Sequence, residues 1–139
     1  MTAHQTHRRR SIHLDGVSHG NTPIPMGARV DNVLYTSGIA GIDPATTKIA
    51  PGAAAQAQHA FQNLRSVLAN AGGSLDDVVR LTVYIKDSSS RGHVNEHWLT
   101  CFPDAESRPA RHILVYDLQH GMELQLEAVA VLPAEGASK

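Results

Sequence analysis

The chain has 139 residues, a formal net charge of −1 and 18% charged residues, which describes one compact domain and excludes a disordered chain. The net charge near zero argues against a basic face, and an aromatic content of only 4% argues against stacking platforms for bases. No nucleic-acid partner is therefore expected. A single cysteine excludes an internal disulfide. Without an apolar run of membrane-spanning length or a signal-peptide core, we expect a cytoplasmic protein without membrane contact.

The N-terminal third predicts a tail followed by short strands. Residues 1–10, which include the basic cluster HRRR, are expected to form a flexible tail. SIHLDGVSHG predicts a strand and a glycine turn, and NTPIPMGARVDN predicts a loop because prolines and glycines interrupt it. Residues 33–39 predict a strand from their β-branched and aromatic content, and IDPATTKIAPG predicts a turn-rich connection.

Residues 53–71 predict an amphipathic helix. Apolar residues recur there every three or four positions: Ala57, Phe61, Leu64, Leu68 and Ala71. The pair Gly72 and Gly73 should end this helix. Ser74 and Asp77 have the spacing of a capped turn, which should lead into the next strand.

The C-terminal half predicts a strand, a second helix and two further strands. The first of these strands should bury alternate residues, namely Val79, Leu81, Val83 and Ile85. DSSSRGHVNEHWLTCF predicts the helix, with its buried side formed by Val94, Trp98, Cys101 and Phe102. ARHILVY and MELQLEAVAVL predict the last two strands. The final strand should turn Glu123, Gln125 and Glu127 to the face opposite Met122, Leu124, Leu126 and Ala128.

This order predicts a single α+β domain over residues 1–139, with two helices covering one face of a sheet. The other face combines polar residues with Val129 and Val131, and no third helix is available to cover it. A sheet face of this kind is typical of a contact with another subunit.

Most short motifs in the chain are typical of ordinary structure. HVNEH has the histidine and glutamate order of one class of zinc proteases, but such matches arise often in a chain with nine histidines. Cys101 lies on the apolar side of a predicted helix, where a small buried residue is the usual explanation. Phosphate-loop and dinucleotide fingerprints are absent from the sequence, so we expect neither a metal nor a cofactor.

The motif RPAR, directly before a predicted strand, is different. Arg111 either clamps the carboxylate of a ligand or forms a salt bridge with Asp117 or Glu127, and the sequence leaves both alternatives open. Arg108 reads as a surface charge in a loop.

Five segments in series resemble the RidA/YjgF family, also called the L-PSP endoribonuclease family. They are LYTSGIAGIDPATTKI, AFQNLRSVLANAGGSLDDVVRLTVYIKD, VNEHW, RPAR and LQLEAVAV, within a resemblance that runs from about residue 21 to 132. The resemblance implies a chorismate-mutase-like α+β fold and a homotrimer with ligand clefts between subunits. It also implies cofactor-independent hydrolysis of 2-imino or 2-enamino acids to 2-keto acids and ammonia, with a small carboxylate-bearing substrate.

The resemblance also implies roles for individual residues. Arg111 matches the family arginine that clamps the substrate carboxylate. Ser37 and Gly38 match a Ser-Gly pair that lines the cleft, and Asn95 matches an asparagine of the second helix.

Other positions depart from the family pattern. Ile24 stands where the family has a cleft tyrosine, and Ile113 stands where it often has cysteine. Gln125 aligns with the glutamate that positions water, and Glu127 is the next residue on the same face. Glutamine can orient a water but cannot accept its proton, so Glu127, His112 and His120 are the candidate bases.

Three functions therefore remain open. The first is a Rid-type deaminase, which the departures at DLQHGM and Ile24 could specialise for a catabolic intermediate such as an aminomuconate-like dicarboxylate. The second is a trimeric carboxylate- or keto-acid-binding protein that is catalytically weak. The third, ranked lowest because the chain lacks a basic face, is the ribonuclease of the family's older name.

Overall fold

A computed structural model describes residues 7–134. The helices are α1 (Ala53–Ala71) and α2 (Arg91–Cys101). The strands are β1 (Arg9–Ile12), β2 (Gly27–Val30), β3 (Val33–Thr36), β4 (Ile39–Ala40), β5 (Ile42–Asp43), β6 (Lys48–Ile49), β7 (Val78–Ile85), β8 (Ala110–Val115) and β9 (Leu124–Val131). The predicted α+β class is confirmed, and among the described residues no helix is long and apolar enough to cross a membrane.

One mixed sheet of seven strands carries the fold. Its order is β1-β2-β3-β9-β7-β8, and β4 also pairs with β9. β7 and β8 run parallel because α2 returns the chain between them, whereas the other pairs are antiparallel. Strands β5 and β6 form a separate hairpin within the predicted turn-rich connection.

Both helices pack on one face of this sheet, as the sequence predicted. The apolar side of α1 is fully buried at Ala57, Leu64 and Leu68, where it meets Leu81 and Leu126 of the sheet in one core. Gly72 ends the helix at φ 93°, a left-handed conformation that glycine adopts without steric cost. The next residues form the expected cap, in which the Ser74 N–H donates to the Asp77 carboxylate over 2.8 Å.

Arg29 fastens the end of α1, a contact that the sequence did not predict. Its side chain is buried and donates to the carbonyl oxygens of Ala71 and Pro133, the latter over 2.7 Å. Its Nε also donates to the Asp31 carbonyl over 2.7 Å. One guanidinium therefore holds a helix end, a strand end and the last described residues together.

Four local predictions were wrong. Residues 27–30, which the sequence predicted as part of a loop, form β2 between β1 and β3. Residues 9 and 10 belong to β1 rather than to a flexible tail, because β2 gives them partners; residues 1–6 lie outside the described part of the chain. The strand predicted over 33–39 is interrupted at Ser37 and Gly38. Val79 is 47% exposed because a register shift between Val78 and Arg80 turns it away from the core.

The second face of the sheet lacks a covering layer within residues 7–134. It presents Tyr35, which is 62% exposed, together with Arg80, Thr82 and His112. Alternation along β9 adds Gln125, Glu127 and Val129 to the same face while Leu124, Leu126 and Ala128 enter the core. We call this surface the open face.

Candidate functional site

An interruption between β3 and β4 creates the candidate cleft. Tyr35 of β3 pairs with Val129, and Ile39 of β4 pairs with Leu126. Three residues between these two pairs therefore face only two residues of β9. This irregularity lifts Ser37 and Gly38 out of the ladder. The Thr36 hydroxyl replaces a ladder acceptor there, because the Ala128 N–H donates to it over 2.9 Å.

Five of the predicted site residues line one cleft of about 530 Å³ beside this interruption. They are Ile24, Ser37, Gly38, Gln125 and Glu127, and the wall is completed by His19, Tyr84 and Tyr116. The sequence did not predict the last three. The position of Tyr84 followed from strand alternation, but the approach of His19 and Tyr116 depends on how two distant loops fold back.

Gly38 allows Gln125 to lie directly over the backbone. A Cβ atom at Gly38 would be 2.5 Å from the Gln125 Nε2, closer than a side chain tolerates. Among the described residues, the Gln125 carboxamide otherwise has one weak acceptor, the Met122 sulfur at 3.8 Å. Ser37 is held nearby, because its hydroxyl donates to the Pro25 carbonyl over 2.8 Å.

Glu127 accepts a hydrogen bond within the cleft. The Tyr84 hydroxyl donates to Glu127 Oε1 over 2.8 Å, and this bond, followed by burial, raises the pKa of Tyr84 above its ordinary value of 10.0. The rings of Tyr84 and Tyr116 meet edge to face at 5.8 Å. Glu127 is two residues from Gln125 on the same face, about 6.5 Å away along the strand. A carboxylate and a carboxamide thus face one space.

Arg111 lies on the helix side of the edge strand β8 and has no acidic partner among residues 7–134. Its Nη1 donates to the Asn95 side-chain oxygen over 2.8 Å, and its guanidinium stacks on Trp98 at 4.9 Å. Burial, and next the charge of Arg91, lower the pKa of Arg111. Within residues 7–134, no carboxylate oxygen comes within ion-pair distance of this guanidinium.

The intramolecular salt bridge that the sequence left open is therefore not formed. Asp117 instead lies 3.9 Å from Lys86, and Glu127 accepts from Tyr84. A partly buried guanidinium without a counter-charge is costly, and an anionic ligand would offset that cost.

Arg108 proves to be more than a solvated charge. It donates from Nε to the Phe102 carbonyl over 2.8 Å and from Nη2 to the Pro103 carbonyl over 3.3 Å. These contacts satisfy carbonyl groups at the end of α2, where cations are favoured. Arg108 is exposed in a loop, as expected, and it also fixes the loop that leads into Arg111.

Arg111 and the cleft are separate within one chain. Arg111 pairs in register with Leu81 and Ile113 with Val83, so both side chains share the helix side of the sheet. Gln125 and Glu127 occupy the open face of β9, with β7 between β9 and β8. Two strand spacings and the thickness of the sheet therefore separate the guanidinium from the cleft. Asn95 and Ile113 lie with Arg111.

The HVNEH motif and Cys101, the other candidates for chemistry, have contacts typical of structural residues. The ring of His97, from the HVNEH motif, stacks on Phe61 at 5.5 Å. Cys101 is half-buried, burial raises the pKa of its thiol, and Arg65 approaches its sulfur at 3.5 Å. In the described part of the chain, no three metal-ligating side chains converge.

The fold and the cleft define an α+β protein with a mixed sheet, two helices on one face and a polar cleft on the other. The profile of the Endoribonuclease L-PSP family matches residues 24–132, and the chain belongs to that family. The resemblance seen in the sequence motifs is therefore confirmed.

Named relatives fall into the same group. A 2-iminobutanoate/2-iminopropanoate deaminase of Mus musculus is 36% identical over 111 residues, covering 78% of this chain and 81% of the mouse protein. The 3-aminoacrylate deaminase RutC of Acinetobacter baylyi is 35% identical over 97 residues, covering 66% and 75%. The crystal structure of RidA from the Antarctic bacterium Psychrobacter sp. PAMC 21119 superposes with a TM-score of 0.80 at 30% identity, covering 88% of this chain and 99% of that one.

Proposed function

We propose that this chain is a cofactor-independent deaminase that hydrolyses 2-imino and 2-enamino acids to 2-keto acids and ammonia. Its working form is a homotrimer, in which Arg111 of one subunit reaches the Ser37–Gly38–Gln125 cleft of a neighbouring subunit. The names of the mouse and Acinetobacter relatives support the reaction class. The separation of Arg111 from the cleft within one chain supports a site shared between copies.

The observation that carries this proposal is that the guanidinium of Arg111 has no acidic partner within residues 7–134. Its orientation is fixed by Asn95 and Trp98, so its remaining N–H groups are available in a defined direction. A guanidinium recognises a carboxylate through two parallel hydrogen bonds. Every 2-imino acid carries a carboxylate next to the C=N carbon, so clamping the carboxylate also positions the reacting carbon.

The cleft supplies groups for the attack of water. Gln125 orients a water, whose oxygen bonds to the C=N carbon while one of its protons passes to the Glu127 carboxylate. Glu127 passes this proton on to the imine nitrogen, which completes the tetrahedral carbinolamine. As the C–N bond of this intermediate breaks, the proton of its hydroxyl group passes through Glu127 to the departing nitrogen, so ammonia leaves and the carbinol oxygen becomes the carbonyl of the 2-keto acid. An enamine substrate first takes up a proton at carbon to become the imine.

A coupled assay tests the reaction. A dehydratase generates short-lived enamines from serine or threonine, and keto-acid formation is followed with and without this protein. We expect acceleration by the wild type and its loss in Arg111→Ala. The matched control is Arg8→Ala, which removes an exposed arginine paired with Asp31 at 3.1 Å and should keep full activity. Undiminished turnover in Arg111→Ala would rule the clamp out.

Mixing two inactive variants tests the shared site. Arg111→Ala retains an intact cleft, whereas Glu127→Ala retains an intact clamp. If the two parts come from different subunits, random mixed trimers regain about a quarter of wild-type activity because some sites contain both intact parts. If mass measurements show that subunits have exchanged and no activity is recovered, the proposal of a shared site is wrong.

A catalytically weak carboxylate-binding protein is the second candidate, and Gln125 is the observation that favours it. A carboxamide cannot accept a proton, and Glu127, the only carboxylate among the described residues that line the cleft, is engaged by Tyr84. This alternative predicts a saturable thermal shift with 2-keto acids that is lost in Arg111→Ala, but no release of ammonia. The narrower substrate suggested by Ile24 and DLQHGM, an aminomuconate-like dicarboxylate, stays a prediction.

A further inference from the structure

A second cavity of about 460 Å³ adjoins the cleft, a volume within the usual range for small-molecule sites. Four residues line both spaces: His19, Ile24, Gly38 and Gln125. The cavity therefore begins where the proposed reacting carbon would lie. We call it the annex.

The far wall of the annex is apolar. It is formed by Met26, Ala40, Ile42, Ile49 and Met122. Its described lining includes no lysine or arginine, and its polar groups are confined to hydroxyls, the two imidazoles of His19 and His120, and Gln125. His19 is already committed at Nε2, which lies 3.0 Å from the Gly38 carbonyl oxygen. A second carboxylate would find no fixed cation there.

Two buried amide side chains of α1 fix the walls of the annex. Asn63 donates to the carbonyl oxygens of Ala40 and Ile42, at 3.2 and 2.9 Å, and so anchors the β5–β6 hairpin. Gln56 donates to the Gly121 carbonyl over 3.1 Å and accepts from the Glu123 N–H over 2.7 Å, which anchors the loop that carries Met122. The cavity is thus preformed, and a ligand need not order its walls.

Ile24 connects the annex with the cleft. It is 45% exposed and lines both spaces, in the position where the resemblance to the family leads one to expect a tyrosine. Isoleucine has no hydroxyl that would need a partner, so it presents a continuous apolar surface from the cleft to Ile42 and Ile49.

We propose that the annex receives the side chain of the substrate, and that this chain prefers 2-imino acids with long aliphatic or thioether side chains. This inference rests on the proposed function. An added methylene in a hydrophobic pocket is worth roughly 10–200-fold in specificity, whereas a polar group at the end of a side chain of equal length loses its water against the apolar far wall. An acidic side chain is disfavoured most, which also argues against a dicarboxylate substrate.

Three imines with side chains of similar length, compared with the short alanine-derived imine, test the preference for apolar side chains. L-Amino acid oxidase converts alanine, methionine, glutamine and glutamate to their 2-imino acids, and semicarbazide captures whatever imine the protein has not hydrolysed. We expect kcat/KM for the methionine-derived imine to exceed that for the alanine-derived imine by about 10-fold or more. The glutamine-derived imine should gain nothing over the alanine-derived one. Equal values for all four imines, or a preference for the glutamate-derived one, would overturn the proposal.

Filling the annex gives the decisive variant. Ile49 is partly buried on a surface hairpin, so Ile49→Phe should fold while occupying the cavity. It should lower kcat/KM for the methionine-derived imine about 10-fold and leave the alanine-derived imine unchanged. Ala45→Phe adds the same ring at the exposed turn of that hairpin and should change neither value. Ile49→Asn, which places a polar group in the apolar wall without filling the cavity, should repeat the selective loss if the phenylalanine variant unfolds.

Failure of the annex can be told apart from failure of the proposed function. If the wild type accelerates no imine at all, the deaminase fails, and calorimetric binding of keto acids then judges the annex. Tighter binding of 4-methylthio-2-oxobutanoate than of pyruvate, with the difference lost in Ile49→Phe, still supports it. Equal affinities for the two keto acids refute it whatever the outcome for catalysis.

Discussion

The two faces of the sheet carry side chains from the same strands and differ in almost every other respect. On the helix face, Leu81, Val83 and Leu126 are fully buried under α1 and α2. On the open face, residues from the same β7 and β9 leave Tyr84 and Glu127 partly exposed in a polar cleft. One face holds the fold together, and the other displays groups that can meet a ligand or a second subunit.

This contrast teaches that alternation along a strand separates two tasks within a few ångströms. A substitution at one residue of β9 should alter the stability of the fold, whereas a substitution at the next residue should alter the cleft. Variants on the two faces should therefore have effects of different kinds, and three measurements test this difference.

Leu64→Ala should have the largest effect on stability. Leu64 is fully buried between α1 and the sheet, so truncation leaves a cavity and should lower the free energy of unfolding by about 2–5 kcal/mol. Leu99→Ala is the matched control, because Leu99 on α2 is 55% exposed. Its free energy of unfolding should stay within about 0.5 kcal/mol of the wild-type value. Urea unfolding at one fixed protein concentration measures both. Similar losses in the two variants would contradict the assignment of the core.

Tyr84→Phe should have a smaller effect that depends on pH. It removes the hydrogen bond to Glu127, which at this partly exposed site is worth at most about 1 kcal/mol. Because folding raises the pKa of Tyr84, the stabilisation is fully present below the ordinary value of 10.0 and is lost as pH rises through the raised value. The stabilities of wild type and variant should therefore converge in strongly alkaline buffer. A constant difference from pH 8 upward would show that the bond does not cause the shift.

Gly38→Ala should change stability least, by less than about 1 kcal/mol, since the group that must move is the end of a flexible side chain. Turnover should nevertheless fall, because the added Cβ displaces the Gln125 carboxamide. In the background of Gln125→Ala the same substitution should have no further effect on turnover, and a double-mutant cycle measures this coupling. Additive losses would mean that Gly38 acts independently of Gln125.

Much of the fold could be predicted because it depends on local patterns. The helical spacing of Leu64 and Leu68 and the paired glycines gave the bounds of α1, and alternation gave the two faces of β9. The exposure of Val79 could not be predicted, since a register shift depends on the partner strand. Arg29 was missed for a similar reason, because its acceptors at Ala71 and Pro133 are distant in sequence.

The candidate site was predictable residue by residue but not as an arrangement. The resemblance to a family indicated Ser37, Gly38 and Gln125, and the structure brings these into one cleft. That Arg111 lies on the opposite side of the sheet follows from the parallel pairing of β7 with β8, which no local pattern of the sequence encodes. The roles of Arg111 and of the cleft residues in catalysis stay proposals that the variants test.

The central position of β9 has a consequence for synthesis of the chain. β9 joins β3 on one side to β7 on the other, yet it is the last strand of the described chain. A ribosome adds about 5–20 residues per second, so β3 and β7 emerge seconds before the strand that unites them. Until then, each has an unpaired edge on which another nascent chain could add. We expect this protein to depend on chaperones, or on slow initiation that spaces its ribosomes apart, more than its modest size suggests.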